Sequence, residues 1–454
     1  MNYPFWEIPI LGSGWVIGII AIFHVMISQF AVGGGLFLPM AERKALATKD
    51  PALRAAWLKQ IAKHSKFFLL LTGVFGTVSG VGIWFAIGLT HPEATSTLIH
   101  NFVFGWAIEW VFFMVELSTI AVYYYTWDRI DEKLHLTVGW VYAGASIATL
   151  VIINGILTFM LTPGATWLGV AGTGAEASKF WNAFFNPTYW PSLLLRSCVC
   201  CSLAAVWALV TSSRIDGDKE PALKTTFVRW SVKWLVPSFV AMPFLMLWYY
   251  LMVPASQQAL LTLGIDTVNA GTFSTVTRMA LVIIMVSATI IWVAYFLAYR
   301  NPLDFNLSHA LAMVLLALIA TGAGEYSREM LRKPYVIGNW MYSNGVRVPY
   351  VERINHEGYL KNSLWTYGGG ATSYSRGEAI FRGECQSCHT LDGYRPVRKL
   401  LAGRDRANIH NFITMLHDYK PDMPYRKFMP PMAGTQQDVN DLADYLNAQV
   451  NTHK

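Results

Sequence analysis

The sequence predicts an all-α protein, in which a polytopic bundle of about eight membrane-spanning helices is followed by a small all-α domain. The first observation is composition: 54% of the 454 residues are hydrophobic and only 14% are charged, whereas soluble domains carry about 25% charged residues. The second is a series of eight apolar runs, each long enough to cross a bilayer as a helix. The third is the polar, amphipathic C-terminal part. We therefore expect a transmembrane domain at 1–330, a linker at 331–372 and a compact domain at 373–454.

The distribution of Lys and Arg predicts the orientation of the spans. The apolar runs lie at about 11–40, 66–90, 102–127, 136–161, 191–212, 231–253, 275–299 and 304–327. The first, third, fifth and seventh connections between them contain nearly all the basic residues of this part of the chain. The first connection contains Arg43, Lys44, Lys49, Arg54, Lys59, Lys63 and Lys66. Because basic residues are retained on the cytoplasmic side, both termini are predicted to lie outside.

The formal net charge of +7 is explained by this orientation, because the excess basic residues lie mainly in the connections on the cytoplasmic side. It does not indicate a basic surface for a polyanion. We expect a lipid bilayer around the chain and no nucleic-acid partner.

Residues 385–389, Cys-Gln-Ser-Cys-His, form the attachment pattern of a covalent c-type haem. The thiols of Cys385 and Cys388 each add across one haem vinyl group, and His389 ligates the iron. A zinc knuckle would need a second cysteine pair, and a redox Cys-x-x-Cys would need a βαβ setting. The motif therefore predicts one covalent haem c. Since this haem is attached outside the cytoplasm, we expect a multi-pass protein of the bacterial inner membrane with a periplasmic C-terminal domain.

The C-terminal domain resembles class I cytochrome c over roughly 80 residues. In that family a methionine in the loop before the last helix is the second axial ligand of the iron. Met429, in a Met-Pro-Pro setting, is the first choice here, with Met432 second and Met423 third. Such His/Met ligation raises the haem potential. The alternative is that these methionines only pack against the haem edge.

Ionisable residues within the apolar runs are candidate functional groups, because burying them in lipid is costly. They comprise His24 in the first run, Glu109 and Glu116 in the third, and Glu325, Arg328, Glu329 and Arg332 at the outer end of the eighth. A single histidine can instead bond to a neighbouring helix, and the last group can be an interfacial ladder of ion pairs. Glu109 and Glu116, seven residues apart, share one helix face.

The predicted depths of these residues place them together. At ~1.5 Å per residue, His24 and Glu109 lie on the order of 10–20 Å below the outer surface. Glu325 and Glu329 lie close to that surface, where the eighth span ends. The candidate ligands are therefore all expected in the outer half of the bilayer, beneath the C-terminal domain.

The transmembrane part resembles the large, haem-bearing subunit of cytochrome bd oxygen reductases. The resemblance rests on the surroundings of His24, on Ala107-Ile108-Glu109, Leu117-Ser118-Thr119 and Trp127-Asp128-Arg129, and on Glu329-Met330-Leu331-Arg332-Lys333-Pro334-Tyr335. It implies that His24 and Glu329 are axial ligands of two high-spin haems, with Glu325 as the alternative to Glu329. It also implies that Glu109 lies beside the oxygen-binding haem, and that Glu116, one place early for the family pattern, delivers protons. Arg328 and Arg332 would then bind haem propionates.

Departures from the family pattern are equally informative. The histidine that holds the family's low-spin haem in the fifth span is absent, and Leu195-Arg196 stands in that region. Its methionine partner is replaced by Ala280, with Met279 adjacent, and the quinol-binding loop is replaced by a short connection at 254–274. The low-spin haem and the quinol site are therefore both expected to be missing. A covalent haem c is then the natural point of electron entry.

The resemblance implies cytochrome c-linked reduction of dioxygen to water, with one haem c and two high-spin haems b, one of which is a candidate haem d. The expected electron donor is a cytochrome c or a respiratory complex, and a second membrane subunit or a homodimer is the expected assembly. Nitric oxide reduction, electron transfer without gas chemistry and redox sensing are the alternatives.

Overall fold

The computed structural model describes residues 5–258, 275–365 and 370–451. Within these residues, eight helical segments have the length and apolarity of membrane spans. They are α1 (Gly12–Leu46), α2 (Pro51–Leu70) continued through a π-helical turn (Leu71–Gly76) into α3 (Thr77–Thr90), α5 (Val103–Tyr125), α6 (Glu132–Phe159), α9 (Tyr189–Ser213), α10 (Pro221–Met252), α11 (Thr275–Trp292) extended by a π-helical turn (Val293–Tyr299), and α12 (Leu307–Leu331). Shorter helices in the connections are α4 (Pro92–Asn101), α7 (Ala165–Leu168) and α8 (Phe180–Phe184). The predicted helical membrane bundle is thus confirmed.

The second and sixth spans begin far earlier than their apolar runs, which start at 66 and 231. Asp50 caps α2 by accepting hydrogen bonds from the backbone N–H groups of Ala52 and Leu53, at 2.9 and 3.3 Å. Pro51 occupies the first helical position, where its missing N–H costs nothing. Helix α10 likewise starts on a proline, Pro221. The basic residues of the first connection therefore lie largely on a helix that extends beyond the bilayer.

Helix α1 packs at the centre of the bundle because small residues allow close approach. A Cβ on Gly33 would lie 2.0 Å from the carbonyl oxygen of Cys200, and one on Gly34 would lie 2.2 Å from the ring of Phe68. Helices α2 and α9 therefore contact the α1 backbone directly. All three cysteines of α9 are free thiols, and Cys200 is fully buried, as expected for a small apolar side chain.

The linker divides between the two domains. Strands β1 (Tyr335–Ile337) and β2 (Met341–Tyr342) form an antiparallel hairpin. Ile337 and Trp340 of this hairpin pack against the outer connections of the bundle, around Trp167. The following helices, α13 (Val351–Glu357) and α14 (Tyr359–Asn362), contribute Ile354 and Tyr359 to the core of the C-terminal domain instead. The linker is therefore a bridge between two cores.

The C-terminal domain is a small helical unit made of α15 (Ser373–Ile380), α16 (Val397–Leu400), α17 (Arg406–Asp418) and α18 (Gln436–Asn451). Helices α15 and α18 cross where a Cβ on Gly377 would lie 2.0 Å from the carbonyl oxygen of Asp441. The Asp441 side chain is fully buried and accepts hydrogen bonds from Arg376 and Ser373, each at 2.6 Å. This crossing holds α15 in place, and the haem-attachment motif follows it directly.

Candidate functional site

The five-residue motif at 385–389 has the local geometry that a covalent haem requires. Cys385 and Cys388 are free thiols, and the side chain of His389 is partly buried. His389 Nδ1 lies 3.0 Å from the carbonyl oxygen of Arg395, which can only accept a hydrogen bond. Nδ1 must therefore carry the proton, and Nε2 keeps a lone pair for iron. The donor set fits a haem attached here.

Three methionines lie near this motif, and the structure separates them by burial. Met423 and Met432 are buried in the core of the C-terminal domain, whereas Met429 is partly buried and packs against that core. The loop of Met429 is held by Tyr419, whose hydroxyl donates to the Met429 carbonyl oxygen at 2.8 Å. Met429 as the second axial ligand stays a prediction.

The haem-attachment loop is seated on the membrane bundle. The backbone N–H of Tyr394 donates to the carbonyl oxygen of Ile10 at 2.8 Å. The ring of Trp15 lies 5.7 Å from that of Tyr394 and 6.3 Å from that of Tyr326 on α12. Lys333 Nζ approaches to 3.8 Å from Cys388 Sγ. The attachment site therefore adjoins the start of α1 and the end of α12.

The ionisable residues at the end of α12 form an ion-pair cluster in which every side chain except that of Glu329 is largely buried. Arg196 of α9 approaches Glu325 Oε1 at 3.0 Å, and Arg328 donates to Glu325 Oε2 at 2.9 Å. Glu329 pairs with Arg332 and lies 3.8 Å from Lys333. Four cationic side chains thus surround two carboxylates, leaving an excess of positive charge in a poorly solvated region.

This excess positive charge fits the carboxylates of a haem. Arg328 Nη1 and Arg332 Nε are buried without a hydrogen-bond partner. Buried guanidinium N–H groups are normally paired, so two orphaned donors indicate a missing anionic acceptor. Haem propionates meet this requirement, as the sequence analysis expected for Arg328 and Arg332.

The ion pairs also distinguish the two candidate glutamate ligands. Both oxygens of Glu325 are held by guanidinium groups, whereas Glu329 has one close partner, Arg332. Its side chain is also more exposed, at 39% against 12% for Glu325. The Glu329 carboxylate is therefore the less fully occupied of the two, and its choice as the axial ligand stays a prediction. The contribution of Arg196 was missed, although an arginine within an apolar run was a detectable signal.

His24 of α1 lies beside Ser79 of α3, with 2.9 Å between His24 Nδ1 and Ser79 Oγ. The Ser79 hydroxyl also reaches the carbonyl oxygen of Phe75 on the preceding turn, which can only accept a hydrogen bond. When the hydroxyl donates to Phe75, its oxygen accepts from His24 Nδ1, and Nε2 keeps a lone pair for iron. This tautomer of His24 is a prediction. Ser79 was not predicted, because it is 55 residues away in the sequence and nothing local identifies it.

Glu109 and Glu116 lie on one face of α5, as predicted. Glu116 is buried at 3% exposure, whereas Glu109 is partly exposed. Among the described residues, no hydrogen bond or ion pair connects this pair to His24 or to the cluster on α12. The structure therefore separates the predicted residues into three groups, and their common depth in the membrane stays a prediction.

A buried histidine that the sequence analysis missed lies between the bundle and the C-terminal domain. His91 Nε2 lies 2.8 Å from the carbonyl oxygen of Ser343, a residue that also contacts Cys388. His91 Nδ1 and both amide atoms of the nearby Gln386 are buried without partners. Desolvation lowers the pKa of His91, which favours the neutral ring.

Comparisons with known proteins agree with this arrangement. The family model described as cytochrome bd terminal oxidase subunit I matches residues 13–247, and the one described as cytochrome c matches residues 374–449. Among solved structures, the bd oxidase from Geobacillus thermodenitrificans is similar, with a TM-score of 0.59 and 17% sequence identity. That match covers 71% of this chain and 87% of the other, and shows a common fold. No curated protein sequence matches the chain.

Proposed function

Since the chain belongs to the family of cytochrome bd terminal oxidase subunit I and carries a cytochrome c domain, we propose that it reduces dioxygen to water with electrons that enter through the C-terminal domain. The family and the cytochrome c domain make it a respiratory oxidoreductase of the membrane. The observation that carries the proposal is the seating of the haem-attachment loop on α1 and α12. The electron-accepting motif thereby adjoins the helices that contain His24 and Glu329.

The residues of the bundle suit two further haems. Haem bound there supplies one-electron transfer and, where the protein offers a single axial ligand, an open iron face for dioxygen. His24, with its Nε2 lone pair, and Glu329 are the proposed axial ligands, and Arg328 and Arg332 the proposed propionate partners. We propose two high-spin haems b, one of them a candidate haem d, beside the single covalent haem c. Glu109 and Glu116 are the proposed proton carriers.

Electron entry through the C-terminal domain is supported by the changes at the low-spin haem and quinol sites, through which electrons enter in the family. Arg196 lies in the span where the family's low-spin haem ligand is missing, and it forms an ion pair with Glu325. Its buried guanidinium group lies between α9 and α12 and neutralises that carboxylate. The connection at 254–274, predicted to be too short for a quinol site, lies mostly outside the described residues. A donor cytochrome c or respiratory complex is the proposed source of electrons.

The proposed setting is the bacterial inner membrane, with both termini and the cytochrome c domain in the periplasm. The support is the concentration of Lys and Arg on alternate connections, all at the end of the bundle away from the C-terminal domain. A second bd-like membrane subunit or a second copy of the chain is the proposed assembly partner.

The purified protein tests the function directly. Oxygen consumption should be rapid with a reduced cytochrome c and at background level with a quinol. Carbon monoxide should change the spectrum of the dithionite-reduced protein, because a high-spin haem has an open iron face. Lack of any CO-reactive haem would overturn oxygen reduction and leave an electron-transfer subunit. Turnover of nitric oxide but not dioxygen would assign nitric oxide reduction instead.

A further inference from the structure

Three buried polar side chains form a cluster at the end of the bundle opposite to the C-terminal domain. Glu42 comes from the end of α1, Tyr123 from the end of α5 and His135 from the start of α6. Their exposures are 2%, 0% and 3%. The cluster lies four to five helical turns from His24 along α1, so it plays no part in holding a haem. We refer to it as the inner triad.

The hydrogen bonds of the inner triad determine how many protons it holds. His135 Nε2 lies 2.9 Å from the carbonyl oxygen of Tyr123, so Nε2 must donate. His135 Nδ1 lies 2.8 Å from Glu42 Oε1, and the Tyr123 hydroxyl donates to Glu42 Oε2 at 2.8 Å. The contact between Nδ1 and Oε1 needs one proton, whether it resides on the imidazole or on the carboxyl group. Glu42 and His135 therefore share one transferable proton.

His135 lies at the C-terminal end of α5, where the Tyr123 carbonyl is among the last four that lack a partner within the helix. The His135 Nε2–H group therefore satisfies a backbone acceptor that the helix leaves free. The centroid of the Trp127 ring lies 4.2 Å from that of His135, with the two planes inclined at 49°, so the triad is also covered by an aromatic side chain.

A polar seam leads from the inner triad towards the haem half of the bundle. Tyr123, Glu116 and Glu109 are spaced by seven residues on α5, so they share one face at intervals of about 10 Å. His135, Tyr142 and Thr149 repeat the same spacing on the facing helix α6. Between the two stripes, a Cβ on Gly35 of α1 would lie 2.8 Å from Ser146 Oγ. The three helices therefore face one another along a seam that carries a polar side chain about every two turns.

The seam also contains buried hydroxyl groups beside its two stripes. The hydroxyl oxygens of Thr72, Ser146 and Thr149 are buried and make no hydrogen bond of good geometry. Thr72 and Ser146 both lie close to the Tyr142 hydroxyl, and Ser146 also lies close to Glu116. Because a hydroxyl group can both donate and accept, these side chains offer proton-conducting groups between Tyr142 and Glu116.

We infer that Glu42, His135 and Tyr123 form the site at which protons enter the bundle from the side opposite to the C-terminal domain. The inference rests on the proposed oxygen reduction, which consumes four protons for each dioxygen reduced by four electrons to two water molecules. In each transfer the Glu42–His135 pair gives its shared proton to the seam and regains one from the solvent on that side. No electron moves in this step.

The test uses the full chain in sealed lipid vesicles that contain a trapped pH indicator. Reduced cytochrome c added outside reacts only with molecules whose C-terminal domain faces outwards, so the indicator reports proton uptake from the opposite face. The wild-type protein should make the interior alkaline after each oxygen pulse. Glu42→Gln should slow both the internal pH change and oxygen consumption by at least about tenfold, as expected when a positioned acid–base group is removed. Reduction of haem c by the donor and all haem spectra should stay unchanged.

Two further variants make the outcome decisive. Glu132→Gln is the matched control, because Glu132 lies exposed at the same end of α6 and pairs with Arg54 at 2.6 Å. Glu42→Asp keeps an exchangeable proton and should retain an intermediate rate, and it carries the test if Glu42→Gln fails to assemble. Rapid internal alkalinisation with Glu42→Gln would overturn the inference. So would a rate of internal alkalinisation with Glu42→Asp that equals that of the wild type. Proton uptake by the wild-type protein from the outer face only would overturn it as well. A wild-type protein that consumes no oxygen would instead overturn the proposed function.

Discussion

The hydrogen bond between Ser79 and His24 predicts that Ser79→Ala weakens haem binding at His24. The substitution removes the hydroxyl oxygen that lies 2.9 Å from His24 Nδ1 and that accepts the Nδ1 proton in the predicted tautomer. The ring is then free to rotate, and its other tautomer places the proton on the nitrogen that should bind iron. Groups that orient a ligating histidine typically contribute 10–100-fold in affinity. That factor corresponds to about 1.4–2.8 kcal/mol.

The expected loss agrees with the cost of the hydrogen bond itself. A partly buried N–H left without an acceptor costs about 1–3 kcal/mol. Ser79→Ala should therefore lower the haem content per polypeptide in a pyridine haemochrome assay under limiting haem, and shift the midpoint potential of the remaining high-spin haem. His24→Ala should remove this haem altogether while haem c is retained.

Two control variants separate the histidine bond from general effects on the helix. Ser79→Thr keeps the hydroxyl group and should behave as wild type. Ser118→Ala removes an exposed hydroxyl group that, like that of Ser79, donates to a carbonyl oxygen of the preceding turn, here that of Met114 at 2.8 Å. Unlike Ser79, Ser118 does not contact His24. This substitution should leave haem content unchanged. If Ser79→Ala had the same haem content and potential as Ser118→Ala, the tautomer argument for His24 would be refuted.

Three other predictions concern the C-terminal domain. Cys388→Ala should abolish reduction by external donors yet leave the membrane haems assembled, as shown by spectra after dithionite; loss of those haems would contradict independent assembly. Gly377→Ala should destabilise the domain by at least about 2 kcal/mol, because its Cβ would overlap the α18 backbone, and an unchanged melting temperature would refute the packing. Desolvation alone would raise the pKa of Asp441, but hydrogen bonds from Arg376 and Ser373 outweigh it and lower the pKa. Its stabilising effect is therefore present above its unfolded pKa and lost as the pH falls through the lowered value. Asp441→Asn should cost about 1–3 kcal/mol at pH 7 and flatten the acid limb of the stability curve, which chemical denaturation at several pH values measures.

The predictable part of this protein is the part that local sequence patterns determine. The haem-attachment motif and the number of spans each follow from short stretches of chain, because covalent chemistry and lipid solubility act locally. The start of α2 was also predictable in principle, since Asp50 and Pro51 are a standard capping pair. The apolar runs underestimated the helices because hydropathy marks the bilayer and not the end of helical hydrogen bonding.

The parts that were missed depend on contacts between helices far apart in sequence. Ser79 reaches His24, Arg196 reaches Glu325, and His135 reaches Glu42 only after the bundle has assembled. Considered alone, each of these polar residues would be expected to bond to its own helix or to solvent. Their partners are set by helix packing, and a periodicity argument on one helix contains no information about the helix that faces it.

The backbone hydrogen bond between Tyr394 and Ile10 has a consequence for the kinetics of the whole molecule. A carrier that is both tethered and docked has no encounter step with its acceptor, so its effective concentration does not depend on how much protein is present. Internal electron transfer should then be first order and nearly independent of ionic strength, because charge screening acts mainly on diffusional association. Any salt dependence of turnover would report the external donor alone. On the proposed electron route, the fused domain would need one collision with a donor instead of two, and dilution of the protein in the membrane would leave its internal rate unchanged.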